Sequence, residues 1–317
     1  MGHEVYSLQE NQVTAEQVKD IALKCDMLFW VHTHGWGIEG TKEVLAIIKK
    51  AGIPTVGYHL DLWLGIEREK DLENDPYWNI DYFFSVDRLM VDYLNERENM
   101  PQAFFLPAGV FKDETFMLPS VNQFKHDIVF TGSRNYHREW PYRSQLISWL
   151  ENTYGDRFKH YDHSHIPKMR GARLNELYGQ TKVVIGDTLC KNFDYPWYLS
   201  DRLFEVTGRG GFMIHPYIEG IETMFNTQNY TFNDLNVEHH PVDTHKAEII
   251  TYPFGDFEKL KYLIDYYVQN DEEREAIRFR GHHRTKADHT YTNRLTEILN
   301  TINEVHNRKH KNSRPIV

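Results

Sequence analysis

Cysteine is almost missing: Cys25 and Cys190 are the two in 317 residues. A disulfide framework is thereby excluded, and a reducing compartment is expected. No apolar run approaches the roughly 20 residues that cross a bilayer, and no charged-then-apolar leader opens the sequence. A cytoplasmic location follows as the expectation. Positive charge is also short, with 36 basic against 46 acidic residues and a net charge of −10. That balance disfavours a scaffold held to nucleic acid through its phosphates, so nucleic acid enters only as an acceptor of chemistry. Neither an HExxH helix nor a cysteine–histidine framework is present, and no metal site is expected. The histidines at 163 and 165, and at 239, 240 and 245, read as loop residues. Internal repeats and low-complexity tracts are absent beyond two similar α/β halves. What is present, 40% hydrophobic and 14% aromatic residues, suffices for packed cores. The length implies two domains.

Apolar runs alternate with amphipathic stretches along the whole chain. In the first third, Glu4–Leu8, Met27–Val31, Thr55–Tyr58, Asp81–Ser85 and Ala103–Leu106 read as strands. Helices are predicted over Thr14–Lys24, Thr41–Ala51 and Val86–Glu96, the first with a Thr14/Gln17 capping box. Such alternation implies parallel sheets, hence an α/β fold. Residues 107–125, with Pro107, Gly109 and Pro119, read as the link to a second domain. That gives domains over 1–111 and 112–317. The pattern then restarts with strands at Ile128–Phe130, Phe158–Tyr161, Val183–Ile185, Phe212–Ile214, Tyr230–Phe232 and Ile249–Tyr252. Helices are predicted at Trp140–Glu151, Asn175–Gly179, Glu258–Gln269, Glu272–Arg280 and Thr292–His306.

The stretch Tyr198–His215 concentrates the functional signal. Ser200 is placed as an N-cap with Asp201 in the first turn. Gly208, Gly210 and Gly211 stop the helix before the strand. Arg202 and Glu205, three apart, share one helix face. Spacing alone leaves two readings open, a surface ion pair or two groups on one ligand. For a ligand, arginine suits phosphate and a carboxylate suits sugar hydroxyls.

Arg202-Leu-Phe-Glu205 followed by Gly208 and Gly211 resembles a segment of group 1 glycosyltransferases, nearest to their spore-maturation-type branch. Ile128–Ser133 with Arg138, Tyr217–Glu222, Arg274–Gly281, His289-Thr290 and Arg294 resemble further pieces of that family, in its order. The resemblance implies a GT-B arrangement, two Rossmann-like domains facing a central cleft, with the last helix crossing back to the first domain. The opening, Gly2 to Leu8, is similar to the second strand of such a domain, so the N-terminal domain is expected to be shortened. The implied activity moves a sugar from a nucleotide diphosphate sugar to an acceptor hydroxyl with retention, with no further cofactor. A modified, hydroxymethylated base in DNA is an alternative acceptor, and a non-catalytic nucleotide-sugar binder is the alternative class.

Site residues follow from position and resemblance together. Gly132, Ser133 and Arg134 follow a strand and offer backbone N–H groups and a cation to the donor diphosphate, with Arg138 and Arg202 assisting. Glu205 corresponds to the family's ribose-holding glutamate. Eight residues earlier, where related enzymes carry a second glutamate, stands Trp197; Asp194 and Asp201 are candidate substitutes. Glu219 and Glu222 are expected near the donor. In the first domain His32, His34, His59 and Asp61 fall at strand ends, where parallel sheets bind ligands. His34 and Asp61 are the catalytic candidates, Asp61 as acceptor of a hydroxyl proton, and His59 is placed in the donor vicinity. Capping of turns is the ordinary alternative for each of these residues.

Overall fold

The computed structural model describes residues 2–31, 38–118, 124–162, 169–228 and 246–309. The chain divides into two compact units, Met1–Pro107 with Leu295–Val317, and Ala108–Arg294.

The first unit is built on four strands, β1 (Leu28–Trp30), β2 (Thr55–His59), β3 (Tyr82–Ser85) and β4 (Gln102–Phe105). They lie in the order β1-β2-β3-β4, every pair parallel. Helices α1 (Ala15–Ala22), α2 (Thr41–Lys50) and α3 (Arg88–Asn95) alternate with them. The capping box predicted for α1 forms: Gln17 N donates to Thr14 Oγ1 (3.3 Å) and Thr14 N donates to Gln17 Oε1 (2.9 Å). Trp63, Tyr77, Trp78 and Phe83 form an aromatic core on this sheet. Residues 4–8, expected as a strand, carry none. Val5 and Tyr6 are 79% and 56% exposed, and an isolated apolar alternation without a neighbouring strand leaves its backbone groups to water. Glu10 instead holds the chain there by accepting from Trp30 Nε1 at 2.7 Å.

The second unit carries five parallel strands, β5 (His126–Thr131), β6 (Phe158–Tyr161), β7 (Thr181–Ile185), β8 (Met213–Pro216) and β9 (Ile250–Tyr252). Their order is β6-β5-β7-β8-β9. The chain therefore runs from β5 out to β6 and returns to the other side of β5. In open parallel sheets this reversal opens a crevice at the carboxyl ends of the strands. The helices are α4 (Tyr142–Tyr154), α5 (Ala172–Gly179), α6 (Asp201–Gly208), α7 (Phe257–Gln269) and α8 (Asp271–Asp288). A last helix, α9 (Tyr291–Lys309), follows; its Ile298 and Ile302 are fully buried.

Two expectations change here. The link does not run freely over 107–125: Val110 N donates to His289 O (3.0 Å), Tyr291 N to Val110 O (2.9 Å) and Arg294 Nε to Ala108 O (3.0 Å). These bonds make residues 108–118 part of the second unit, while 119–123 lie outside the described residues, as does the strand predicted at 230–232. Helix α8 also runs on past Arg280. Gly281, just past the expected end, is where α8 meets the backbone carbonyl of Glu248, and any Cβ there would collide with it. Close packing is what this glycine serves.

Candidate functional site

Strand β5 ends at Thr131, and Gly132 follows with φ +125°. Its N–H donates to Tyr161 O at 2.8 Å and its carbonyl lies 2.7 Å from His160 Nε2. Both backbone groups are thus committed to β6, not turned to a ligand. What Gly132 supplies is room, because a Cβ there would overlap the guanidinium of Arg202.

Helix α6 brings the expected pair together. Ser200 takes the N-cap position in extended geometry, but its hydroxyl makes no cap bond. It donates instead to Asp187 O (3.3 Å), tying the helix start to the loop after β7. Leu203, Phe204 and Val206 are fully buried, which leaves Arg202 and Glu205 on the opposite side. Gly210, with φ +76°, turns the chain toward β8. Arg202 Nη1 donates to Asp187 O at 3.2 Å, and its guanidinium lies 5.2 Å from the Phe130 ring centre. Burial, with the like charge of Arg143, pulls the Arg202 pKa down.

Arg202 and Glu205 face a cavity of about 460 Å³ within the second unit, in the size range of small-molecule sites, roughly 300–1,000 Å³. Thr131, Gly132, Tyr161, Tyr178, Asp201, Arg209, Glu114 and Arg170 line it as well. These groups come from the ends of β5 and β6, from α5, from α6 and the residue after it, and from the segments before β5 and α5, so the cavity lies at the strand-order reversal. Burial pushes the Glu205 carboxyl up; Asp201 and Glu114 add to this, while Arg209 and Arg202 oppose it. Below Arg202 lies an ion pair, Arg143 Nε donating to the fully buried Asp187 Oδ2 at 2.8 Å. Trp140 Nε1 donates to the same carboxylate at 3.1 Å.

The remaining candidates are placed elsewhere. The Ser133 carbonyl accepts from Arg143 Nη1 (3.5 Å). Arg134 turns to α4, where it donates to Ser148 Oγ (3.0 Å) and pairs with Glu151. Arg138 is exposed. Glu219 and Glu222, past β8, are exposed; the Glu219 carbonyl accepts from Trp197 N (2.8 Å) and Glu222 accepts from Tyr217 Oη (3.4 Å). None of these five lines the cavity. Trp197 itself sits at φ +63° with its ring against Gly220. In the first unit His59 is 2% exposed among Trp63, Tyr77 and Phe83. Asp61 pairs with Arg68 at 3.0 Å and accepts from Leu62 N. His32 and His34 lie outside the described residues, as do His163, His165, His239, His240 and His245. Among the described residues no group of three or more histidine, cysteine or acidic side chains could hold a metal ion. None of their helices is long and apolar enough to cross a membrane.

Sequence reading passed over Arg209, Glu114, Tyr178 and Asp187. Arg209 was within reach of it, four residues beyond Glu205. Glu114 lies in a stretch that reads as a link, and nothing local marks it.

Two Rossmann-like units, each on a parallel sheet, and a polar cavity at the carboxyl edge of the second make this an α/β protein of GT-B type. A family model described as glycosyl transferase-like matches residues 115–300, well over half of the chain, and the protein belongs to that family. Among solved structures it is similar to an alpha-glucosyltransferase in complex with UDP-glucose and DNA containing an abasic site. There the identity is 13% and the TM-score 0.59, over 91% of this chain and 83% of that one. A glycosyltransferase from Rickettsia africae ESF-5 matches at 13% identity and TM-score 0.56, over 98% and 85%. HepE of Anabaena, in complex with UDP-glucose, matches at 12% and 0.57, over 92% and 82%. No curated protein matches the chain.

Proposed function

We propose that the chain transfers a sugar from a nucleotide diphosphate sugar, with uridine as the leading base, to an acceptor hydroxyl with retention of configuration. The observation that carries this reading is the joint exposure of Arg202 and Glu205 to one cavity at the strand-order reversal. Arg202 and the N-terminal end of α6 receive the diphosphate, whose charge grows as the glycosidic bond breaks. Glu205 accepts hydrogen bonds from the ribose hydroxyls. Uridine is supported by the solved relatives that hold UDP or UDP-glucose. For the acceptor, the net charge of −10 favours a neutral hydroxyl compound over a DNA base carried on a polyanion. On the acceptor side, His34 and Asp61 are the proposed proton-handling groups.

Slow release of free nucleoside diphosphate from UDP-glucose, absent in heated protein, tests the transfer chemistry. Glu205→Ala tests the site. UDP affinity is expected to fall at least tenfold while the melting temperature stays that of the wild type. Intact UDP binding together with a lowered melting temperature would show Glu205 to be a structural residue and refute the assignment.

A further inference from the structure

Arg209 sits just past α6 and is 2% exposed, an uncommon environment for a cation at the floor of a polar cavity. It is held from three directions. Nη1 donates to Asn175 Oδ1 (2.8 Å) and to Gly171 O (3.1 Å), and Nη2 pairs with Glu114. Asn175 is completely buried, and its own orientation is fixed because Nδ2 donates to two carbonyls, Glu114 O (2.7 Å) and Phe116 O (2.9 Å). The amide oxygen therefore has to face Arg209. This fixed cation lies 3.8 Å from Glu205 Oε1, close enough for charge to act and too far for a hydrogen bond. The Glu205 side chain keeps 36% of its surface and lines the cavity.

We propose that Arg209, clamped by Asn175 and Glu114, is the positioning residue that keeps Glu205 ionised and aimed at the ribose hydroxyls of the donor. The inference rests on the donor reading above. Glu205 needs such help because it faces Asp201 and Arg202 on its own helix, Glu114 from the segment before β5, Tyr178 from α5 and Tyr291 at the start of α9. Asp201 and Glu114 favour its protonated form, as does burial, and a protonated carboxyl surrenders an acceptor site that a hydroxyl donor needs. Glu114 acts twice: it anchors Arg209 and its own charge offsets part of the field of Arg209 at Glu205.

The test is UDP affinity as a function of pH, with GDP and ADP in parallel, for the wild type and three variants. Affinity is expected to fall on acidification as Glu205 takes up a proton. Arg209→Met is expected to move that acid limb to higher pH by about one unit, the lower end for an opposite charge at this distance, and Arg209→Lys to restore it in part. Glu114→Gln, at the half-exposed rim, is expected to move the limb to lower pH. Its opposite sign keeps the test decisive should Arg209→Met fail to fold. In a Glu205→Gln background only the shallower limb from the nucleotide's own terminal phosphate remains, and Arg209→Met neither moves it nor adds much further loss. An unmoved limb in both variants, or an equal loss from Arg209→Met with and without Glu205, overturns the inference. Two other results strike the donor reading itself: no binding of any of the three nucleotides, or full affinity in Glu205→Gln.

Discussion

Gly132 shows how a single missing side chain can shape a site. The turn after β5 reads naturally as a phosphate loop, yet its backbone groups bond to Tyr161 and His160. Its lack of a Cβ lets Arg202 lie against the turn. Gly132→Ala is expected to expel that guanidinium and to cost about 1–3 kcal/mol for a side chain at positive φ. UDP titration beside thermal unfolding checks this: the variant should bind at least tenfold more weakly, and should add little to the loss already caused by Arg202→Ala. Wild-type affinity in Gly132→Ala would contradict the account. At this scale legibility follows sequence distance. Arg202 and Glu205 were readable together because a helix puts i and i+3 on one face. The Arg209–Glu114 pair joins residues 95 apart, and no local pattern announces it. The diphosphate role expected for Arg134 had the right charge and neighbourhood, but Ser148 and Glu151 on α4 hold that side chain.

Helices α6 and α8 fix the geometry in which those residues work. Gly208 is where Val110 and Thr285 press close to α6, with a Cβ there lying 2.8 Å and 3.0 Å from their methyl carbons. Thr207 Oγ1 and Thr285 Oγ1 are 2.7 Å apart across the same contact. His282 completes it, its Nδ1 lying 2.9 Å from Gly208 O. Burial drives the His282 pKa down to about 4 from an ordinary 6.5, and His215 and His289 are lowered likewise. The folded chain keeps these rings neutral while the unfolded chain protonates them, so the unfolded state binds more protons between pH 6.5 and 4. Stability is therefore full above about pH 6.5 and lost as pH falls toward 4. Melting temperatures across that window should fall less in His282→Gln than in the wild type; identical slopes would contradict the assignment. Element identity was largely legible, because the periods of helix and strand differ. The exceptions have physical causes. Residues 4–8 alternate like a strand but have no partner strand, and α8 runs eight residues past the expected Arg280, packing there against Glu248, which lies far away in the sequence.

Across the whole molecule, two parallel sheets and a family match over residues 115–300 agree with the alternating pattern of the sequence. The second unit was the more legible, because ordered motifs and strand periodicity coincide there. In the first the strands and helices are legible, while the surroundings of the strand-end residues are not: aromatic rings enclose His59 and Arg68 pairs with Asp61. Residues 107–125 resemble a linker through Pro107, Gly109 and Pro119, although hydrogen bonds to residues 289–294 hold Ala108 and Val110 in the second unit. The donor reading converges on one cavity and on the pair of opposite charges on α6. A crystal structure of the protein with UDP measures this most directly. The account predicts ribose hydroxyls within hydrogen-bond distance of the Glu205 carboxylate and diphosphate oxygens on the Arg202 guanidinium. A nucleotide bound elsewhere, with both side chains untouched, would contradict it.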